Sequence, residues 1–250
     1  MKNSSNTSYL PPEWTLQSGV MLTWPHEHSD WCDTLAEVEP VFVEIARQIS
    51  LRERVVIACW DEPHLVHVEQ LLKHAGAAPD TIALYAVPSN DTWVRDHGPI
   101  TVREQDNTLR LLDFTFNGWG CKFDAGLDNQ LTDRLHAAGA FHATPLQNID
   151  VVLEGGSIEV DGAGTLLTTR RCLMSPMRNP HLNQQQVESL LGQLLGVDRF
   201  LWLDNGYLAG DDTDSHIDTL ARFCDARTIV YVACDDHNDE HYPELKAMEK

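Results

Sequence analysis

A chain of 250 residues is long enough to bury a substantial core, as one large domain or two small ones. Eighteen Lys and Arg against thirty-eight Asp and Glu give a formal charge of −20, which speaks against nucleic acid and anionic membrane surfaces as partners, since both need positive patches. An acidic field suits a small cation, or serves solubility alone. No apolar run approaches bilayer-spanning length, and the N-terminal MKNSSNTSYLPPEW has neither a signal-peptide core nor a transit pattern, so the expected location is the cytoplasm.

In chain order, SGVMLTWPHEHSDW starts as a strand-like run and ends in an acidic cluster around Asp30. Leu35–Ser50 carries apolar residues at 35, 38, 42, 45, 46 and 49, the stripe of a helix. Val55–Ala58 reads as a strand, Val66–His74 as a helix and Ile82–Val87 as a strand that runs on into NDTWVRDHGP. Strands follow at Leu109–Phe116, at Val151–Leu153 ending on Glu154, and at Thr165–Thr169. A helix over Gln184–Leu195, a strand over Phe200–Leu203, the acidic stretch around His216 and a strand over Thr228–Val232 complete the pattern. Strands alternating with helices make the chain α/β. The polar clusters around Asp30, Asp96, Glu154 and His216 recur about every 60 residues, an internal repeat whose radial arrangement aims all four at one axis.

Four motifs carry candidate chemistry, each with a plain structural alternative. In NDTWVRDHGP, a Gly-Pro turn stops the strand, and Asp96 is either a site carboxylate or an ion-pair partner of Arg95. Trp93 in the same motif is either core or the wall of a ligand site. LEGGSIEVDG places Glu154 at a strand end, where it is either solvated or buried against a charge, with two glycines that permit close approach. In DDTDSHIDTLARFC, Asp214, His216 and Asp218 alternate, so an extended stretch turns all three one way; the alternative is a surface loop. HEHSD supplies His26 and His28, too few for a metal without a third ligand. The six cysteines show no metal or redox spacing and read mostly as reduced core thiols, Cys224 and Cys234 among them.

Taken in order, WPHEHSDW, NDTWVRDHGP, FNGWGCKF, LEGGSIE, RNP and DTDSHID resemble the agmatine deiminase family, which includes the bacterial peptidylarginine deiminase-type enzymes. The resemblance runs from Leu22 to the end of the chain. It implies the five-bladed α/β propeller (pentein-type) of the guanidine-modifying enzymes, as a single domain over residues 1–250. It also implies hydrolysis of a guanidine C–N bond, agmatine giving N-carbamoylputrescine and ammonia on a route to polyamines. A guanidinium is planar, permanently charged and rich in N–H donors, so paired carboxylates cradle it. By resemblance, Asp96 and Asp218 grip the guanidinium, Glu154 orients His216, and His216 shuttles protons. Trp93 packs on the substrate's alkyl chain, and Asp212 faces its far ammonium. The implied chemistry is thiolate attack through a thiouronium intermediate, with no metal and no organic cofactor. The implied partner is a small cationic guanidine, with no nucleic acid and no membrane; a homo-oligomer stays open.

The match departs from the family in three places. The family's nucleophilic cysteine lies in a glycine-rich loop near the C-terminus, and none of the six cysteines here occupies such a loop. Cys172 falls at a family position other than the nucleophile's. The expectation is therefore a deiminase lacking its last blade, with the nucleophile outside this chain. Ser215 replaces a more usual glycine, and Asp-His-Gly-Pro a more usual threonine version, which leaves arginine and peptidyl arginine open as substrates. Two other functions stay in play: a guanidinium-binding relative without chemistry, and a metal-dependent hydrolase using His26, His28, Asp214 and His216.

Overall fold

The computed structural model describes residues 8–250 and is α/β. Its strands form four small sheets, none of which closes into a barrel among the described residues. Two compact units divide the chain, one of residues 16–98 and 124–146, the other of residues 8–15, 99–123 and 147–250. No helix of the described residues is long and apolar enough to cross a membrane.

The first unit is built on three parallel strands, Gly19–Thr23, Arg54–Cys59 and Ile82–Ala86, with Arg54–Cys59 in the middle. Parallel neighbours need crossover connections, and the helices Leu35–Ser50 and Glu62–His74 supply them. The run VVIAC is apolar throughout because both faces of the middle strand are covered. Val55, Ile57 and Cys59 pack with Trp24, Ala46, Val68 and Leu72 on one face, while Val56 and Ala58 meet Val87, Leu131 and Leu135 on the other. Glu62–His74 starts a full turn before the expected Val66, because the Asp61 carboxylate accepts from the His64 N–H and Pro63 occupies the first turn. All three strands point the same way, so their C-terminal ends place His26, Trp60 and Ser89 together: the His26 ring lies 4.8 Å from Trp60 and 3.2 Å from Ser89 Oγ.

The second unit holds the other three sheets. Ser8–Tyr9, Ile100–Glu104, Leu109–Thr115 and Leu146–Val152 form one, and Arg199–Leu203, Thr165–Thr169 and Ile158–Val160 form another. The third is the hairpin of Ala221–Asp225 and Thr228–Tyr231. The helix Gln184–Leu195 matches its expected span to the residue. A reciprocal cap between Asn183 and Gln186 starts it, and Val187, Leu191 and Leu195 form the stripe that enters the core with Ile100, Leu112, Phe114 and Leu166. It ends at Gly196 with φ 70°, where a Cβ would also sit 2.8 Å from Tyr9 Cα.

Several expectations change. Residues 94–97 form a helical turn before the Gly-Pro instead of a continued strand. Asp214 and Ser215 adopt left-handed φ values of 64° and 65°, so the alternation of Asp214, His216 and Asp218 is not an extended face. The cysteines are not mostly core: Cys59 and Cys172 are buried, whereas Cys32, Cys121 and Cys224 are exposed. Cys224 follows buried Phe223 in the first strand of a two-stranded hairpin, and its alternation with Phe223 turns it to the exposed face.

Candidate functional site

Glu154, Arg178, Cys172 and His216 converge in the second unit. Glu154 follows the strand Leu146–Val152 and is fully buried, so the solvated strand-end alternative is wrong. The neighbouring backbone is held from both sides. Ser157 donates to the Glu154 carbonyl through its amide at 3.0 Å and its hydroxyl at 2.6 Å, and the Asn179 amide group pairs with both the N–H and the carbonyl of Val152. The Gly155–Ser157 turn then carries the chain to a second buried acid, Glu159, which accepts from Arg222 Nε and the Phe223 amide. One motif therefore holds two glutamates with different partners.

A buried carboxylate needs a countercharge. Arg178 supplies it, with Nε 2.9 Å from both Glu154 oxygens and neither side chain exposed. His216 Nε2 lies 4.0 Å from Glu154 Oε2. Ligating atoms of Glu154, Cys172 and His216 all fall within 4.8 Å of one another, the one such group of possible metal ligands among the described residues. It does not include His26, His28 or Asp214. A guanidinium already bonded to Glu154 also opposes a second cation there.

The acidic run that precedes His216 divides its labour. Asp211 accepts from the amides of Thr213 and Ser215; burial opposes its charge, yet these bonds and the Thr213 hydroxyl hold its carboxyl below the usual range. Asp212 is exposed, and its carbonyl accepts from Lys122 Nζ at 2.7 Å. Asp214 Oδ1 accepts from the same ammonium at 2.8 Å, and its Oδ2 lies 3.5 Å from Arg178 Nη1. Asp218 stands in the first turn of the helix Ile217–Leu220, which His216 immediately precedes. Thr169 ties the cluster together by donating to the Ser215 carbonyl and accepting from the Cys172 amide. Asp211, Arg178 and Thr169 carry no role in the sequence reading.

Lys122 follows a left-handed turn in which Gly118, Trp119, Gly120 and Cys121 all have positive φ. The Asn117 side chain closes this turn by accepting from the Gly120 amide and donating to the Met177 carbonyl, one residue before Arg178. A Cβ at Gly120 would sit 3.1 Å from Met177 Cβ.

Asp96 and Trp93 belong to the first unit. Asp96 is buried in the helical turn Val94–His97, and Trp93, which precedes it, is 45% exposed, not core. Trp93 faces Trp31 at 5.8 Å between ring centroids, and Trp31 Nε1 donates to Thr92 Oγ1. The loop is fixed by a reciprocal lock: Asp128 Oδ1 accepts from the amides of Asn90 and Asp91, while Asn90 Oδ1 accepts from those of Leu127 and Asp128. Burial pushes the Asp128 carboxyl up to about 7 despite these bonds, and burial pushes His97 down to about 3, which leaves that ring neutral at ordinary pH.

The family model of the Porphyromonas-type peptidyl-arginine deiminases matches residues 9–250. An agmatine deiminase of Stutzerimonas stutzeri (strain A1501) is 36% identical over 245 residues, covering 96% of this chain and 64% of the relative. The chain thus spans less than two thirds of the length of that relative. Among solved structures, a C. jejuni agmatine deiminase carrying a cysteine-to-serine substitution, with substrate bound, superposes with a TM-score of 0.88 at 38% identity, covering 97% of this chain and 69% of that one. The agmatine deiminase of Enterococcus faecalis gives 0.84 at 30% identity, covering 96% and 65%.

Proposed function

This chain belongs to the Porphyromonas-type peptidyl-arginine deiminase family, and from that premise we propose that it hydrolyses a C–N bond of an alkylguanidine, agmatine before arginine or peptidyl arginine. The observation that carries the reading is the buried pairing of Glu154 with His216, 4.0 Å apart, in a chain of formal charge −20. A buried imidazole beside a carboxylate is a proton shuttle, and an acidic field gathers a cationic substrate.

In this reading a thiolate adds to the guanidinium carbon and His216 gives its proton to the departing nitrogen. Ammonia leaves, and a thiouronium joins substrate and thiol. Water then attacks the same carbon, His216 takes a proton from it, and the thiolate departs, leaving a ureido product. Asp96 and Asp218 grip the guanidinium nitrogens. Glu154 orients the His216 ring, Trp93 covers the alkyl chain and Asp212 receives the far ammonium. The product from agmatine is N-carbamoylputrescine, a polyamine precursor, made by a cytoplasmic enzyme. The fold is a five-bladed α/β propeller in a single domain, of which these residues form part; the α/β sheets and the likeness to solved agmatine deiminases support it.

The attacking thiol lies outside residues 1–250. Cys172 has no exposed surface to offer a substrate carbon, and burial pushes Cys59 up to about 12. One observation favours a second reading, in which Cys172 itself attacks: its sulfur lies within 4.8 Å of both Glu154 and His216. Alkylation by a chloroacetamidine, a guanidinium mimic, separates the two. Peptide mapping finds Cys172 unmodified under the first reading and modified under the second. Binding of agmatine with no ammonia from any guanidine would instead support a binding relative without chemistry.

A further inference from the structure

The RNP motif has no task in the reaction just described, yet it contributes a buried cation to the second unit. The Arg178 side chain is wholly buried. Its Nε donates to Glu154 Oε1 and Oε2, its Nη2 donates to the Thr213 carbonyl at 3.0 Å, and its Nη1 lies 3.5 Å from Asp214 Oδ2. Stability alone is a weak reason for such an arrangement, because a buried ion pair is commonly no better than apolar side chains of similar volume.

Three relationships tie Arg178 to His216. The carboxylate it holds is the one 4.0 Å from His216 Nε2. The loop it holds, through Thr213 and Asp214, is the loop that delivers His216, whose own amide donates to Thr213 Oγ1. The next residue, Asn179, clamps Val152 two positions before Glu154, so adjacent residues of one motif fix both the backbone and the carboxylate of that acid.

We propose that Arg178 is a positioning residue, an internal guanidinium that holds Glu154 and the Thr213–Asp214 loop and through them sets the aim and basicity of His216. The inference rests on the His216 proton shuttle proposed above. A lone buried carboxylate beside an imidazole favours a ring that keeps its proton. Such a ring holds its proton too tightly to give it readily to the departing nitrogen in the first half of the cycle. A countercharge on the carboxylate cancels part of that field and lets the ring serve both halves. Charged and titratable groups around His216 include Glu154, Cys172 and Asp211, with Asp214 and Asp218 on the same loop and helix, and Arg178 is a cation bonded to Glu154. Arg178 also occupies both Glu154 oxygens, so this carboxylate is not left for a substrate guanidinium.

The test compares wild type, Arg178→Lys, Glu154→Gln and the double variant Arg178→Met with Glu154→Gln, each in the full-length protein. Lys keeps the charge but loses the planar fork. The double variant removes both charges, so no buried ion is left unpaired and it folds even where Arg178→Lys does not. Arg178→Lys is expected to bind agmatine within about 3-fold of wild type while kcat falls at least about 100-fold. Its His216 ring, followed by NMR, is expected to titrate at least about half a pH unit from the wild-type midpoint. The double variant is expected within about 3-fold of Glu154→Gln in kcat, because residues acting as one unit are not additive. Wild-type kcat and ring midpoint in Arg178→Lys, or a further large loss in the double variant beyond Glu154→Gln, would overturn the proposal. If wild type binds agmatine without hydrolysing it, the hydrolytic reading fails, and the ring titration, which needs no substrate, still decides the role of Arg178.

Discussion

Asn90 and Asp128 lock each other: each side-chain oxygen accepts from two backbone amides of the other's segment, and the loop so fixed carries Trp93 and Asp96. Asp128 performs this task from a buried position that raises its carboxyl to about 7. Its folded pKa lies above its unfolded value, so between about 4 and 7 the folded protein binds the extra proton and stability falls as pH rises through that window. Asp128→Asn keeps the acceptor and removes the charge. It is expected to stabilise the protein at pH 8 and to flatten the slope between pH 5 and 8, read by urea melts; an unchanged slope contradicts the assignment.

Acid–base and binding roles separate by mutation. His216→Ala is expected to lower kcat by at least about 100-fold while agmatine still binds. Asp96→Ala is expected to weaken binding by about 2–5 kcal/mol, because it leaves a desolvated guanidinium short of a partner. Calorimetric binding and ammonia release on both variants check the division, and near-normal turnover in either one contradicts its role.

Glu154 also has a folding role that the pair with Arg178 makes measurable. Glu154→Ala is expected to cost about 3–5 kcal/mol of stability by stranding a buried guanidinium. Pairing the change with Arg178→Met is expected to recover most of that loss in a thermal melt. Equal instability of the single and double variants would mean the ion pair is not what the fold relies on.

The left-handed turn gives an opposite sign. Cys121 holds φ 63° without being glycine, a conformation that disfavours a Cβ. Cys121→Gly is expected to stabilise by up to about 1 kcal/mol, whereas Gly120→Ala is expected to destabilise, since its Cβ meets Met177. In the core, Leu191→Ala is expected to cost about 2–5 kcal/mol and Asn183→Ala, which removes a helix cap, about 1 kcal/mol. Urea melts of the four variants rank them.

How much of this was legible before the fold was known depends on the range of the forces involved. The helices Leu35–Ser50 and Gln184–Leu195 follow from their apolar stripes and match to the residue. Ile100–Glu104 and Ile158–Val160 are short and carry charged residues, so their pairing with neighbouring strands decides them. The acidic run around His216 reads as extended because its spacing alternates. It folds as a turn because the Asp211 carboxylate captures local amides, which competes with extended backbone. That Glu154 and His216 share a site is implied by the order of the motifs. The part played by Arg178 is not, because its carboxylate partner is 24 residues away and only the folded chain brings the two together.

The most direct measurement is the fate of agmatine with the protein expressed from its own coding sequence. One ammonium and one ureido product per agmatine consumed, abolished by His216→Ala, is the predicted result. Agmatine that binds and is recovered unchanged, or hydrolysis that survives the loss of His216, would contradict the account.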